Sequence, residues 1–291
     1  MLRQHGYDVV LSPAGKIPDE SELLRLVPNV VGWLAGVEPV SEKVIEAAAK
    51  LKVISRNGSG VDNLPTKAVA ARGIVVRRAD GSNAQGVAEL TIALMFASLR
   101  HVPFADAGIK AGMWNRRKGV EIRGRSVGIV GCGAIGGEVA RLAAGLGAQV
   151  LAFDPAHPEI GIDRKLYRWV DLSTLIAEAH IVTLHCPPTF NGLPLIGAKE
   201  LNSMNLGSVL VNTARASLVD ETAIAQALES GRLSTYATDV FPEEPPRSLT
   251  LYGRGDVIAT SHIGGFTDES VDRATTIAVN NLIESLKNEG A

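Results

Sequence analysis

Between Ser126 and Gly136 the sequence reads Ser-Val-Gly-Ile-Val-Gly-Cys-Gly-Ala-Ile-Gly, an apolar stretch that enters a G-x-G-x-x-G loop and continues into the helical pattern 138–144. Strand, glycine turn and helix in that order open a βαβ unit whose loop closes on a pyrophosphate. Gly131 permits the tight turn, Gly133 removes a side chain where phosphates approach the backbone, and Gly136 lets helix pack on strand. The helix amino terminus, with Ala134 and Ile135 in its first turn, offers free amides to the same phosphates. The chain has 30 glycines, so the context carries more weight than the motif alone. A second strand, 150–153, ends on Asp154, where a carboxylate accepts hydrogen bonds from an adenosine ribose and repels a 2′-phosphate. The pattern predicts a dinucleotide domain that prefers NAD to NADP. The alternative is that Asp154 only caps a turn before Pro155.

The glycine loop lies inside a longer alternation. Short runs rich in valine and isoleucine predict strands at 7–11, 30–34, 53–54 and 74–76, with helices at 21–27, 41–51 and 66–72 between them. The first two helices open on serines that can cap free amides. One long helix is expected from Val87 to about Gly112, followed by strands near 127–130, 150–153, 181–184, 209–212, 236–239 and 257–259 and an amphipathic helix over 268–288. This is the signature of parallel sheets covered by helices. At 291 residues and 46% hydrophobic, the chain suits two domains.

Composition narrows the function classes. A formal net charge of −2 gives no electrostatic footprint for nucleic acid. The basic clusters Arg77-Arg78 and Arg116-Arg117-Lys118 read as solvated surface. Two cysteines, Cys132 and Cys186, are too few for a disulfide scaffold and suit a reducing compartment, so a cytoplasmic protein is expected. No apolar run reaches membrane-spanning length, so no membrane partner is expected. The six histidines and two cysteines have no metal-ligand spacing, so no metal is expected.

In an open parallel sheet, ligands bind beyond the carboxyl ends of the strands. Five polar segments follow predicted strands: Arg56-Asn-Gly-Ser-Gly60, His185-Cys186-Pro187, Asn212-Thr213-Ala214-Arg215, Asp239 through Glu244, and Ser261-His262 through Gly265. Arg215, Glu244 and His262 suit reduction of a 2-oxo acid. Hydride attack at C2 makes an alkoxide that needs a proton, and an imidazole titrates near neutral pH. A carboxylate beside the ring holds its tautomer, and a guanidinium grips a carboxylate or polarises a carbonyl. Taken singly, each of these residues also suits a surface group, a cap or a loop tie. Arg56, Ser59 and Gly60 lie on a loop whose amides form an anion nest or only a flexible turn.

The segments RNGSGVDN (56–63), GVAELT (86–91), VGIVGCGAIGGEVA (127–140), VTLHCPP (182–188), VNTARASLVDE (211–221), TDVFPEEPP (238–246) and SHIGG (261–265) together resemble the D-isomer-specific 2-hydroxyacid dehydrogenases, most nearly their phosphoglycerate-oxidising branch. The resemblance implies His262 as acid/base, Glu244 as its partner and Arg215 as the substrate-binding arginine. It implies a substrate loop at Arg56, Ser59 and Gly60. Cofactor contacts are expected from Gly133, Ala134, Ile135, Asp154, His185, Cys186, Pro187, Thr213, Ala214, Asp239, His262 and Gly265. The implied fold is a Rossmann dinucleotide domain (93–264) inserted into a flavodoxin-like α/β substrate domain (1–92 with 265–291). The implied cofactor is NAD, and the implied substrate a small anionic 2-hydroxy or 2-oxo acid such as 3-phosphoglycerate, glycerate, hydroxypyruvate or glyoxylate. A homodimer through the helix and arm from Val87 to Trp114 is expected.

Three departures stand out. The chain begins after the family's usual first strand, which predicts unpaired backbone in the first sheet, compensated by a neighbouring chain or paid for in stability. Ala216-Ser217 follows Arg215 where the family more often has glycine. The end at Ala291 leaves no regulatory domain, so serine feedback is not expected. The resemblance leaves open an NAD-sensing corepressor scaffold, an inactive remnant and phosphite as a substrate. Cys132 and Cys186 follow neighbouring strands, but inert thiols are expected.

Overall fold

The structure is a computed structural model that describes residues 1–288. It divides into two compact units, residues 1–83 with those from Thr267 onward, and Ala84–Phe266.

The first unit runs α1 (Glu20–Leu26), β1 (Gly32–Ala35), α2 (Glu42–Ala47), β2 (Val53–Arg56), α3 (Thr66–Ala71) and β3 (Val75–Arg78). Its strands pair in parallel in the order β1-β2-β3, with Val53 opposite both Gly32 and Val75. Successive residues of β2 point to opposite faces. Ile54 therefore packs with Leu23, Val44, Ile45 and Val69 of α1–α3, while Val53 packs on the other face with Leu282 and Leu286 of the C-terminal helix. That helix approaches so closely that a Cβ at Gly32 would stand 2.8 Å from Leu282 Cδ1.

Two expectations fail here. Residues 7–11 form no strand, and the ladder begins at Gly32, with β1 at its edge. The run pairs with no strand, although β1 leaves one edge of the ladder open. Val10 and Leu11 are exposed, and Tyr7 packs instead against the Val53–Leu282–Leu286 cluster. The first helix is capped by Asp19 rather than Ser21: Asp19 accepts from the Glu22 N–H, and the Glu22 side chain returns to the Asp19 N–H. This reciprocal box satisfies two free amides where a lone serine satisfies one. Ser41 caps α2, as its position predicts.

The second unit runs α4 (Ala84–Arg100), α5 (Val102–Lys110), β4 (Ser126–Val130), α6 (Ala134–Gly145), β5 (Gln149–Phe153), β6 (Tyr167–Trp169), α7 (Leu172–Glu178), β7 (Ile181–Leu184), α8 (Ala198–Ser203), β8 (Ser208–Asn212), α9 (Glu221–Glu229), β9 (Leu233–Thr238) and β10 (Val257–Ala259). The helix expected from Val87 is two helices bent by 66° at His101, whose φ of 53° is left-handed. Pro103 in the first turn of α5 marks the restart, because proline fits a helix start and not its interior. The first unit is then completed by α10 (Asp268–Asn288).

All seven strands of the second sheet are parallel, ordered β10-β9-β8-β7-β4-β5-β6. Strand order reverses between β4 and β7, the point where a doubly wound sheet opens a ligand crevice at its carboxyl edge. β4, β7 and β8 are buried along their whole length, as central strands covered on both faces must be. The short strand β6 has no counterpart in the sequence expectation.

Candidate active site

The glycine loop lies at the carboxyl end of β4. Gly131 has φ 89°, and a Cβ there would stand 2.7 Å from the His185 carbonyl carbon, so both backbone conformation and space require glycine. A Cβ at Gly136 would stand 1.9 Å from the Gly131 carbonyl oxygen. Gly133 differs, since a Cβ there would meet nothing within 4 Å. The protein itself leaves space open in front of Gly133, and Gly133 caps α6, whose first residues are Ala134 and Ile135. A cradle open at one glycine and closed at its flanks fits a dinucleotide pyrophosphate.

Asp154 follows β5. Its carboxylate accepts from the Cys132 N–H at 2.9 Å and the Ala156 N–H at 2.9 Å, which ties the glycine loop to the turn after β5. Each oxygen retains a lone pair for a ribose hydroxyl.

His185, Cys186 and Pro187 follow β7. His185 Nε2 lies 2.9 Å from Thr183 Oγ1, and its Nδ1 is buried without a hydrogen-bond partner. Burial drives this imidazole down to about 3, so it stays neutral. The favoured tautomer carries its proton on Nε2, because a proton on Nδ1 would be a buried donor without an acceptor. Burial also raises both thiols, Cys132 to about 12. Thiolate chemistry is thereby suppressed, in line with inert cysteines.

At the end of β8, the fully buried Asn212 donates through Nδ2 to the Arg215 carbonyl at 2.8 Å and accepts from the Ala214 N–H at 3.1 Å. It thereby shapes the turn that carries Arg215, whose guanidinium donates to the Ala214 carbonyl at 2.7 Å. Thr213 Oγ1 lies 3.0 Å from Thr91 Oγ1. Thr91 already donates to the Val87 carbonyl, so Thr213 is the donor.

The feature with the clearest chemistry is at the carboxyl ends of β9 and β10. Both carboxylate oxygens of Glu244 lie against His262 Nδ1, at 2.9 and 2.8 Å. The carboxylate can only accept, so Nδ1 carries the proton and Nε2 remains the working nitrogen. Glu244 Oε1 also accepts from the Phe241 N–H at 3.2 Å. His262 has φ 54°, a conformation that costs about 1 kcal/mol outside glycine. Asp239 holds it there by accepting from Thr260 Oγ1 at 2.6 Å, the Ile263 N–H at 2.9 Å and the Gly264 N–H at 2.8 Å. Gly265 follows directly. The sequence reading gave Asp239 only a cofactor role. Its clamp on the His262 loop went unseen, although an aspartate ending one strand beside the polar loop of the next is a usable signal.

In the first unit, Arg56 is 6% exposed and spends Nε on the Gly60 carbonyl and Nη1 on the Ala35 carbonyl, at 2.8 and 3.0 Å. Burial lowers its guanidinium against the pull of Glu38 and Asp62. Here Arg56 shapes the loop backbone. Ser59 Oγ donates to the Ala79 carbonyl at 3.4 Å, and Gly58 has φ 149°.

The family model for the NAD binding domain of D-isomer specific 2-hydroxyacid dehydrogenases matches residues 92–264. The D-3-phosphoglycerate dehydrogenase of Archaeoglobus fulgidus is 36% identical over 290 residues, covering 98% of this chain and 54% of that protein. The hydroxypyruvate reductase of Thermotoga maritima is 35% identical over 274 residues, covering 92% and 89%. The chain spans about half the length of the curated phosphoglycerate dehydrogenases it matches. Among solved structures, the TT0316 protein of Thermus thermophilus superposes with a TM-score of 0.87 at 33% identity, covering 99% of this chain and 92% of that one.

Proposed function

This chain belongs to the D-isomer-specific 2-hydroxyacid dehydrogenase family and carries its NAD-binding domain, and from that premise we propose that it transfers a hydride between NAD(H) and C2 of a small D-2-hydroxy or 2-oxo acid. The observation that carries this reading is the Glu244–His262 pair, two carboxylate oxygens on one ring nitrogen. Bound NADH would supply the hydride from the nicotinamide ring. Gly133 and the first turn of α6 would hold its pyrophosphate, and Asp154 its ribose. His262 Nε2 gives a proton to the oxygen on C2 during reduction and takes it back during oxidation, while Nδ1 stays fixed on Glu244. Arg215 neutralises the acid's negative charge and polarises the carbonyl. The loop with Arg56, Ser59 and Gly60 supplies amides for the substrate carboxylate.

Relatives named for phosphoglycerate and hydroxypyruvate support a three-carbon acid, with 3-phosphoglycerate the leading substrate. The exposed apolar residues Val102, Ile109, Met113 and Trp114 support a homodimer through α5 and the arm that follows. No single helix among the described residues is long and apolar enough to cross a membrane, and a cytoplasmic location is proposed from the free cysteines.

The test follows NADH absorbance with hydroxypyruvate, 3-phosphohydroxypyruvate and glyoxylate, in the natural chain and in His262→Ala. Turnover on one of them, reduced about 10²–10⁴-fold in the variant with NADH binding kept, is expected. Tight NADH binding without turnover on any acid would overturn the proposal.

A further inference from the structure

The second unit holds a groove of about 350 Å³ away from the residues assigned to cofactor and substrate, bordered by the arm proposed for the homodimer. It opens at the amino ends of the central strands: Arg125 precedes β4, His180 precedes β7 and Ser208 begins β8. Leu99 and Val120 add apolar side chains to its lining. Four lining side chains are cationic or become so on protonation, His101, Lys118, Arg125 and His180, and among the described residues no carboxylate lines the groove.

The chemistry of these groups is directional. Ser126 faces His180 Nδ1 with its backbone N–H at 3.3 Å and its hydroxyl at 2.6 Å, which leaves Nε2 as the unengaged ring nitrogen. Arg125 commits Nε to the Glu121 carbonyl at 3.0 Å and keeps its terminal nitrogens for other acceptors. Burial, followed by the Arg125 charge, pushes His180 below the usual imidazole range. Arg125 carries the charge of this pair, while His180 stays neutral with Nδ1 accepting the Ser126 N–H and offers its Nε2–H to an anion held by Arg125. The helix carbonyls at this end of α4 do not compete, because those of Ser98 and Leu99 already accept from the N–H groups of His101 and Val120. Two cations and two imidazoles without acids, lined in part by apolar side chains, have the composition of an anion site.

We propose that this groove is a second ligand site that takes a small polyanion, gripped by Lys118 and Arg125 with His180 Nε2 as a further donor. A metabolite bearing several carboxylates and one bearing phosphates share this chemistry. β4 separates the groove from the glycine loop by roughly 15 Å at about 3.3 Å per residue, so the polyanion does not compete with the dinucleotide.

The experiment titrates citrate and inorganic pyrophosphate into the whole chain saturated with NADH, by calorimetry, with ionic strength held constant by potassium chloride. One saturable site per chain is expected, weakened about tenfold or more in Lys118→Gln and in Arg125→Gln, with NADH affinity kept within about twofold. Citrate binding alone would identify a polycarboxylate ligand, and pyrophosphate binding alone a phosphate ligand. Lys118 is exposed, so its replacement leaves the fold intact and carries the test if Arg125→Gln does not fold. As a second readout, the His180 ring resonances should shift on addition of the anion. Undiminished affinity in Lys118→Gln would place the anion at Arg215 or elsewhere and overturn the proposal. So would heat that follows ionic strength alone. A Lys118→Glu chain that changes oligomeric state while the natural chain binds neither anion would make the groove an interface between copies instead.

Discussion

Asp239 Oδ2 lies 2.8 Å from the Gly264 nitrogen and 3.1 Å from where a side chain at 264 would begin. One carboxylate thus fixes both the course and the side-chain size of the loop that presents His262. Asp239→Asn replaces one acceptor oxygen with a donor facing an N–H. It should cost about 1–3 kcal/mol of stability, read by urea unfolding, and lower kcat well beyond what the loss of folded protein explains, read on the folded fraction. An Asp239→Asn chain with natural stability and turnover would refute the clamp.

The glycine loop makes a contrast between two alanine substitutions. Gly136→Ala forces a Cβ against the Gly131 carbonyl, so the loop must move and thermal stability should fall. Gly133→Ala meets nothing in the protein, so its melting temperature should hardly change. Its NADH affinity should nevertheless fall about tenfold or more, because the added methyl occupies the place of the pyrophosphate. Calorimetric NADH titrations and melts of both variants check this. Undiminished NADH binding in Gly133→Ala would remove the assigned cradle.

How much of this was legible in sequence follows from the range of the forces involved. The glycine loop, Asp154, and the strands at β4, β5, β7 and β8 are local patterns, and they appear where the spacing puts them. The strand expected at 7–11 fails because pairing is a property of neighbours, and its valines carry no information about whether one exists. The cap at Asp19 was missed although Asp19-x-x-Glu22 is a capping-box pattern, because Ser21 suits the same role two residues later. Position singled out Arg215, Glu244 and His262 one by one and the resemblance paired Glu244 with His262, while the fold supplies the contact between them. Asp239 shows the same limit, since its three donors lie more than twenty residues downstream.

Acid should weaken the second unit through His185. Its folded value near 3 lies below the unfolded imidazole value, so the unfolded chain takes up the proton first. The native state is therefore fully favoured only above about pH 6.5, and stability falls as pH drops from there toward 3. His180, also lowered, acts in the same direction. Urea unfolding at pH 5 should give about 1–2 kcal/mol less than at pH 7, and His185→Gln should flatten that slope. An unchanged slope in the variant would mean that the imidazole is not buried neutral.

Two neighbouring glutamates separate a catalytic role from a surface one. Glu243 pairs with the 85% exposed Arg247, a contact worth under about 1 kcal/mol in water. Glu243→Gln should therefore leave rate and stability almost unchanged. Glu244→Gln places an amide against His262 Nδ1, where its N–H group can donate and so reverse the ring tautomer. Nε2 would then hold a proton where oxidation needs a lone pair, and the charge that steadies the imidazolium during reduction would be gone. The loss in kcat/KM should reach about 10²–10⁴-fold. Since the substitution leaves the overall equilibrium constant untouched, both directions must fall by the same factor, while NADH affinity stays near its natural value. Steady-state rates in both directions for the two variants decide the matter. Equal small effects at 243 and 244 would reduce the Glu244–His262 pair to a surface contact.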